Sequence, residues 1–173
     1  MFWPRNIALA AVAALSISSS ALANEFGRTA TPEEIKLWDI DVRPDGKGLP
    51  EGSGMVAQGK SVYTDNCAAC HGVNGQGGIK DRLVGGQGTH PSDKPIKTVG
   101  SYWPYATTLF DYVRRAMPLQ APQSLTDDQV YAVVAYLLSI DKIVPDSATL
   151  DAAGVKAIQM PNRDGFIAWP SNE

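Results

Sequence analysis

Cysteine and histidine are scarce in this chain: its 173 residues hold two of each. A zinc ribbon needs four ligands, and neither a second C-x-x-C nor a pair of neighbouring histidines is present to supply them. One tight C-x-x-C disulfide would be a poor staple for a chain of this length, because loop-closure stabilisation grows with loop size. Positive charge is not in excess. Lys and Arg number 15 against 18 Asp and Glu, a formal net charge of -3, which argues against nucleic acid as a partner. Internal repeats and low-complexity blocks are absent. Long apolar runs are missing too: the stretch Ile7 to Ile17 is short for a bilayer span. What remains is 44% hydrophobic and 19% charged, enough for one packed domain with appended arms.

The first residues read as an export signal. Arg5 is the positive region, Ile7 to Ile17 the apolar region, and Ala21-Leu22-Ala23 a small-residue cleavage site. Residues 1-23 are therefore expected to be a cleaved signal peptide, with a mature chain from about Asn24 in the periplasm and no stable membrane insertion afterwards. An uncleaved anchor is the alternative.

The two cysteines lie in Cys67-Ala68-Ala69-Cys70-His71, and C-x-x-C-H is the attachment sequence for c-type haem. Each thiol adds to one vinyl group, and the histidine that follows is held under the iron as proximal ligand. A thioredoxin-like pair has no need of His71 and lacks its strand–helix context here. One motif implies one covalent haem c. The distal ligand is sought among Met55, Met117, Met160 and His90. Met117 stands where a helix ends against Pro118, so the turn presents it sideways to the iron. Its alternative role is core packing. Met160 sits beyond the last helix, Met55 precedes the motif, and His90 reads as a loop residue.

The pattern is all-α. Residues 24-52 form an N-terminal arm, polar and rich in Pro and Gly, with a short helical turn signalled by Thr31-Pro32-Glu33-Glu34. Residues 53-140 are the haem-bearing domain. Its first helix is expected over about 55–69 with Ser53 as cap, and Val56, Gly59 and Tyr63 on one face. Gly59 costs helix stability and reads as a point where another helix crosses closely. The glycine-rich stretch 72–101 argues for backbone wrapped against a ligand. A second helix spans Ala106 to Ala116. Tyr102, Trp103, Tyr105, Phe110 and Tyr112 are expected to wall a flat macrocycle, and Arg114 or Arg115 to meet a haem propionate. The last helix starts at Thr126, where Gln129 completes a capping box and Asp127 and Asp128 suit the positive end. Residues 141-173 read as an irregular C-terminal arm.

Three helices around C-x-x-C-H, with Met-Pro between the last two, resemble class I cytochrome c over residues 54–140. In that family the first and last helices cross through a glycine and an aromatic, and Gly59 and Tyr136 stand at those places. The family often carries a proline after the motif whose carbonyl fixes the proximal histidine. The matching stretch here, Gly78-Ile79-Lys80-Asp81-Arg82-Leu83, has none, so the acceptor for His71 Nδ1–H is left open. A narrower resemblance runs through Val99 to Pro118, with flanks at Thr31 to Gly48 and Met160 to Phe166. These are similar to cytochrome subunits of bacterial sulfite and sulfane dehydrogenases, some of which carry two haems. That resemblance implies a molybdenum sulfite dehydrogenase catalytic subunit as electron donor and a downstream cytochrome or oxidase as acceptor.

Charge is unevenly placed. Residues 55–125 carry seven bases and four acids, net +3, inside an otherwise acidic chain. Lys80, Arg82, Lys94, Lys97, Arg114 and Arg115 are candidates to ring the haem edge and steer an acidic partner. The sequence thus predicts an electron carrier with no catalytic residues of its own. The alternatives are a general periplasmic carrier, or a haem enzyme or sensor, which requires a labile distal position.

Overall fold

In the computed structural model, residues 27–167 are described. The signal peptide read at residues 1-23 and the mature start near Asn24 lie outside them. The chain divides after Asp39 into two compact units. The first carries α1 (Pro32–Trp38). Its capping box is complete: Thr31 Oγ1 accepts from Glu34 N, and the Glu34 carboxylate accepts from Thr31 N. Arg28 pairs with that same carboxylate.

The second unit, from Ile40, is built on five helices and one small sheet among the described residues. These are β1 (Ser53–Met55), α2 (Val56–Asn66), α3 (Ala68–His71), α4 (Ala106–Ala116), α5 (Asp127–Ile140), β2 (Thr149–Asp151) and α6 (Ala152–Ala157). α5 is the axis of the core. Every residue from Val130 to Ser139 is buried, as expected of a helix that is apolar all round. Thr126 caps it, accepting from Gln129 N at 3.2 Å while Gln129 Oε1 accepts from Thr126 N at 2.9 Å.

α2 crosses α5 at a glycine contact. A Cβ on Gly59 would sit 1.8 Å from the Ala132 carbonyl oxygen and 2.8 Å from Tyr136 Cβ, so only glycine allows the approach. The expected partner of Gly59, Tyr136, is therefore present, and the Tyr63 and Tyr136 rings lie 5.4 Å apart beside it.

Three expectations change. Ser53 does not cap the first helix. It pairs with Asp151 in the antiparallel β1–β2 ladder, and α2 begins after Met55, whose N–H is taken by Gln58 Oε1. The helix stops at Asn66 and a separate turn, α3, carries the cysteine motif. The C-terminal arm is not wholly irregular: it holds β2 and α6, the latter capped by Asp151 Oδ1 on Gly154 N. Residues 72–101 form no helix or strand, in keeping with their glycines. No helix among the described residues is long and apolar enough to cross a membrane.

Candidate functional site

The motif is held from both sides of the chain. Cys67 N and His71 N are bonded into the helical run from Tyr63, and the loop after His71 folds straight back. Gly77 N donates to His71 O at 2.8 Å and Lys80 N to Cys70 O at 2.9 Å. Gly72 permits this reversal: its φ is +83° and a Cβ there would meet the Gly77 carbonyl at 2.4 Å. The fold-back delivers the Asp81 carbonyl to His71, 2.8 Å from Nδ1. A carbonyl can only accept, so Nδ1 carries a proton, and in the neutral ring this leaves the Nε2 lone pair for a metal. The acceptor left open by the missing proline is thus Asp81, through its backbone.

Cys67, Cys70 and His71 line a cavity of about 460 Å³. Met117 lines the same cavity from the segment after α4, and the Met117–Pro118 peptide is cis. The walls between are largely apolar: Leu109 and Val113 from α4, Val133 and Leu137 from α5, and Leu83 and Val99 from the glycine-rich loop. Burial, with the neighbouring Cys70 second, pushes the Cys67 thiol up to about 11, so it stands neutral at pH 7. Two adjacent thiols, an imidazole with a free Nε2, a thioether and an apolar slot fit a c-type haem. Among the described residues no group of three or more His, Cys, Asp and Glu converges to hold a bare metal ion.

The other distal candidates do not reach this cavity. Met160 is 2% exposed within the core. Met55 is half exposed at the start of α2, and His90 Nε2 faces the Ser101 carbonyl at 2.8 Å. Of the five aromatics, Trp103 and Tyr112 line the cavity, edge to face with centroids 5.7 Å apart. Phe110, Tyr102 and Tyr105 lie outside its lining. Phe110 points a helical step away from Leu109 and packs on Tyr131 at 4.5 Å. Tyr102 stacks on His90 and meets Phe166, and Tyr105 lies under Arg163 at 4.1 Å. Arg114 is likewise outside, off the Leu109–Val113 stripe. Its Nε donates to Asp127 at 2.8 Å and its Nη1 to Ile40 O at 3.0 Å.

The basic ring narrows accordingly. Lys80, Arg82 and Lys97 line the cavity together with Asp81, while Arg115 is committed to Asp111. An open groove of about 850 Å³ on α1, beside Ile35, Leu37 and Trp38, holds no cysteine, histidine or methionine.

The model of the cytochrome c family matches residues 56–141. A thiosulfate dehydrogenase of Stutzerimonas stutzeri (strain A1501) is 32% identical over 95 residues. That match covers 54% of this chain and 30% of the relative, so the chain spans under a third of that protein's length. Among solved structures, the sulfane dehydrogenase SoxCD from Paracoccus pantotrophus contains a similar chain. Identity is 43% and the TM-score 0.77, over 86% of this chain and 73% of that one.

Proposed function

The chain belongs to the cytochrome c family, and from that premise we propose that it is a periplasmic monohaem electron carrier that accepts electrons from a molybdenum sulfite dehydrogenase. One observation carries the reading: Cys67, Cys70, His71 and Met117 share one apolar cavity, and the Asp81 carbonyl holds His71 in the ligating tautomer. Haem bound there supplies a ferric–ferrous couple. The protein's own residues do the rest. Cys67 and Cys70 would tether the group, and His71 Nε2 and the Met117 thioether would hold its iron, a donor set that would leave substrate no place there. The apolar walls exclude water, and a thioether ligand in such a site favours the ferrous form. Catalysis belongs to the partner enzyme.

The relatives' names support the choice of partner class. Sulfane and thiosulfate dehydrogenases both oxidise sulfur compounds and must pass electrons on. Lys80, Arg82 and Lys97 at the cavity suit an acidic docking face. A downstream cytochrome or oxidase would take the electron away.

The test is haem reduction by sulfite, with and without a molybdenum sulfite dehydrogenase from the same source. Fast reduction only with the enzyme is expected. No reduction by an active enzyme would remove the sulfur-oxidation assignment and leave a general periplasmic carrier.

A further inference from the structure

α4 works on two faces. Leu109, Tyr112 and Val113 line the cavity, and Met117 follows one turn beyond Val113. The other face carries Thr107, Asp111, Arg114 and Arg115. The strap of residues 40–44 lies along it and is bonded to it three times. Val42 N donates to Asp111 Oδ1 at 2.7 Å, Arg114 Nη1 to Ile40 O at 3.0 Å, and Thr107 Oγ1 to Pro44 O at 3.4 Å.

Asp111 is the hub. Arg115 Nε donates to its Oδ1 at 2.8 Å and Arg115 Nη2 to its Oδ2. The residue is 9% exposed and Val42 is 6% exposed. A carboxylate at such a place is costly unless partnered, and an apolar residue would fill the space without that demand. A satisfied buried polar network has a different effect: it admits one arrangement where apolar packing tolerates several. Here the donors reach one carboxylate from the strap and from the next turn of the helix. The Arg115 pair lies within α4 and turns with it, so it orients the carboxylate, whereas rotation of α4 about its axis breaks the three bonds to the strap, Val42 N to Asp111 among them. That same rotation swings Met117, the residue next after the helix end.

We propose that Asp111 is a positioning residue for Met117: oriented by Arg115 and bonded to the strap at Val42 N, it locks α4 in the rotation that keeps the thioether on the cavity. The proposal rests on the reading of Met117 as a ligand to the haem iron. It makes the bond on the Met117 side resistant to exchange, although no atom of Asp111 lines the cavity.

The test uses the full haem-loaded protein and Asp111→Asn, which keeps the shape but loses the charged pair. The ferric protein is titrated with imidazole while the long-wavelength methionine-to-ferric-iron charge-transfer band is followed, with far-UV circular dichroism alongside. Imidazole is expected to displace the thioether from the variant at about tenfold lower concentration, the equivalent of one charge-assisted hydrogen bond. Helix content and covalent haem should match wild type. Unchanged imidazole affinity in the folded variant overturns the proposal. So does band loss only in step with the far-UV signal, since a purely structural role predicts that. If Asp111→Asn does not accumulate, Arg115→Gln is read by the same criteria. Met117→Ala, run in parallel, must abolish the band. If the band survives there, the ligand reading fails and the proposal falls with it. If it vanishes there while Asp111→Asn behaves as wild type, the positioning role alone fails.

Discussion

At Asp111 burial and partnership oppose each other. Burial pushes the carboxyl up, but the Arg115 guanidinium and then the Val42 amide outweigh it and hold the group below the usual carboxylate range. A carboxyl depressed on folding adds stability that is complete above its unfolded value of about 3.9 and is lost as pH falls through the lower folded value. The stability advantage of wild type over Asp111→Asn is therefore expected to be constant above about pH 5 and to close on acidification below about pH 4. Thermal unfolding across pH measures it, and a gap that grows in acid contradicts it. Tyr63 is the second residue to probe. It is fully buried, and its hydroxyl donates to Gly72 O at 2.8 Å, just behind His71. Tyr63→Phe removes that bond and leaves the carbonyl only the Gly75 amide at 3.1 Å, so it should lower unfolding free energy by about 1 kcal/mol in a denaturant titration. At this scale the sequence is informative where a local pattern marks the residue: the spacing singles out Cys67, Cys70 and His71, the proline after its helix singles out Met117, and all four line one cavity. Asp81 acts through its backbone, so its residue type carried no signal. Asp111 is one acid among many until Val42 and Arg115 are seen around it.

Between elements the decisive contact is α2 on α5. Gly59 abuts the Ala132 carbonyl, and Gly54 in β1 abuts Ala132 N, where a Cβ would sit at 2.2 Å. Both contacts on Ala132 need glycine, one from α2 and one from β1, because backbone cannot move aside as a flexible side chain can. Gly59→Ala is expected to cost about 3 kcal/mol or more, by overpacking, with the helices forced apart. Chemical denaturation of the holoprotein checks it; a neutral result would mean that α2 shifts freely on α5. Helix limits were legible where capping is local, as at Thr126 and Gln129. They were misjudged at Ser53 because its partner, Asp151, lies across the β1–β2 ladder and no local pattern reports a distant pairing. The same pairing orders part of the C-terminal arm, which composition alone describes as irregular. In sequence the short aromatic-rich run 102–112 reads as one wall, yet helical rotation sends Phe110 to Tyr131 and leaves Tyr112 on the cavity.

Over the whole molecule, charge is segregated: a net +3 stretch at 55–125 sits in a chain of net charge -3. Lys80, Arg82 and Lys97 lie at the cavity, whereas Arg114 and Arg115 are neutralised by Asp127 and Asp111. Electron transfer from an acidic partner should therefore slow as ionic strength rises, with the Debye length shrinking from about 10 Å at 0.1 M to about 3 Å at 1 M. Charge reversal at Lys80 and Arg82 should remove most of that dependence in stopped-flow traces, and reversal at Lys142, which pairs with Asp146, should not. Equal effects at both places would mean that the cavity face is not the docking face. The ligand set is read from the long-wavelength charge-transfer band of the ferric protein. With Met117 on the iron, the band should be present in wild type, Met55→Ala and Met160→Ala and lost in Met117→Ala; a band that persists in Met117→Ala would contradict that ligand set.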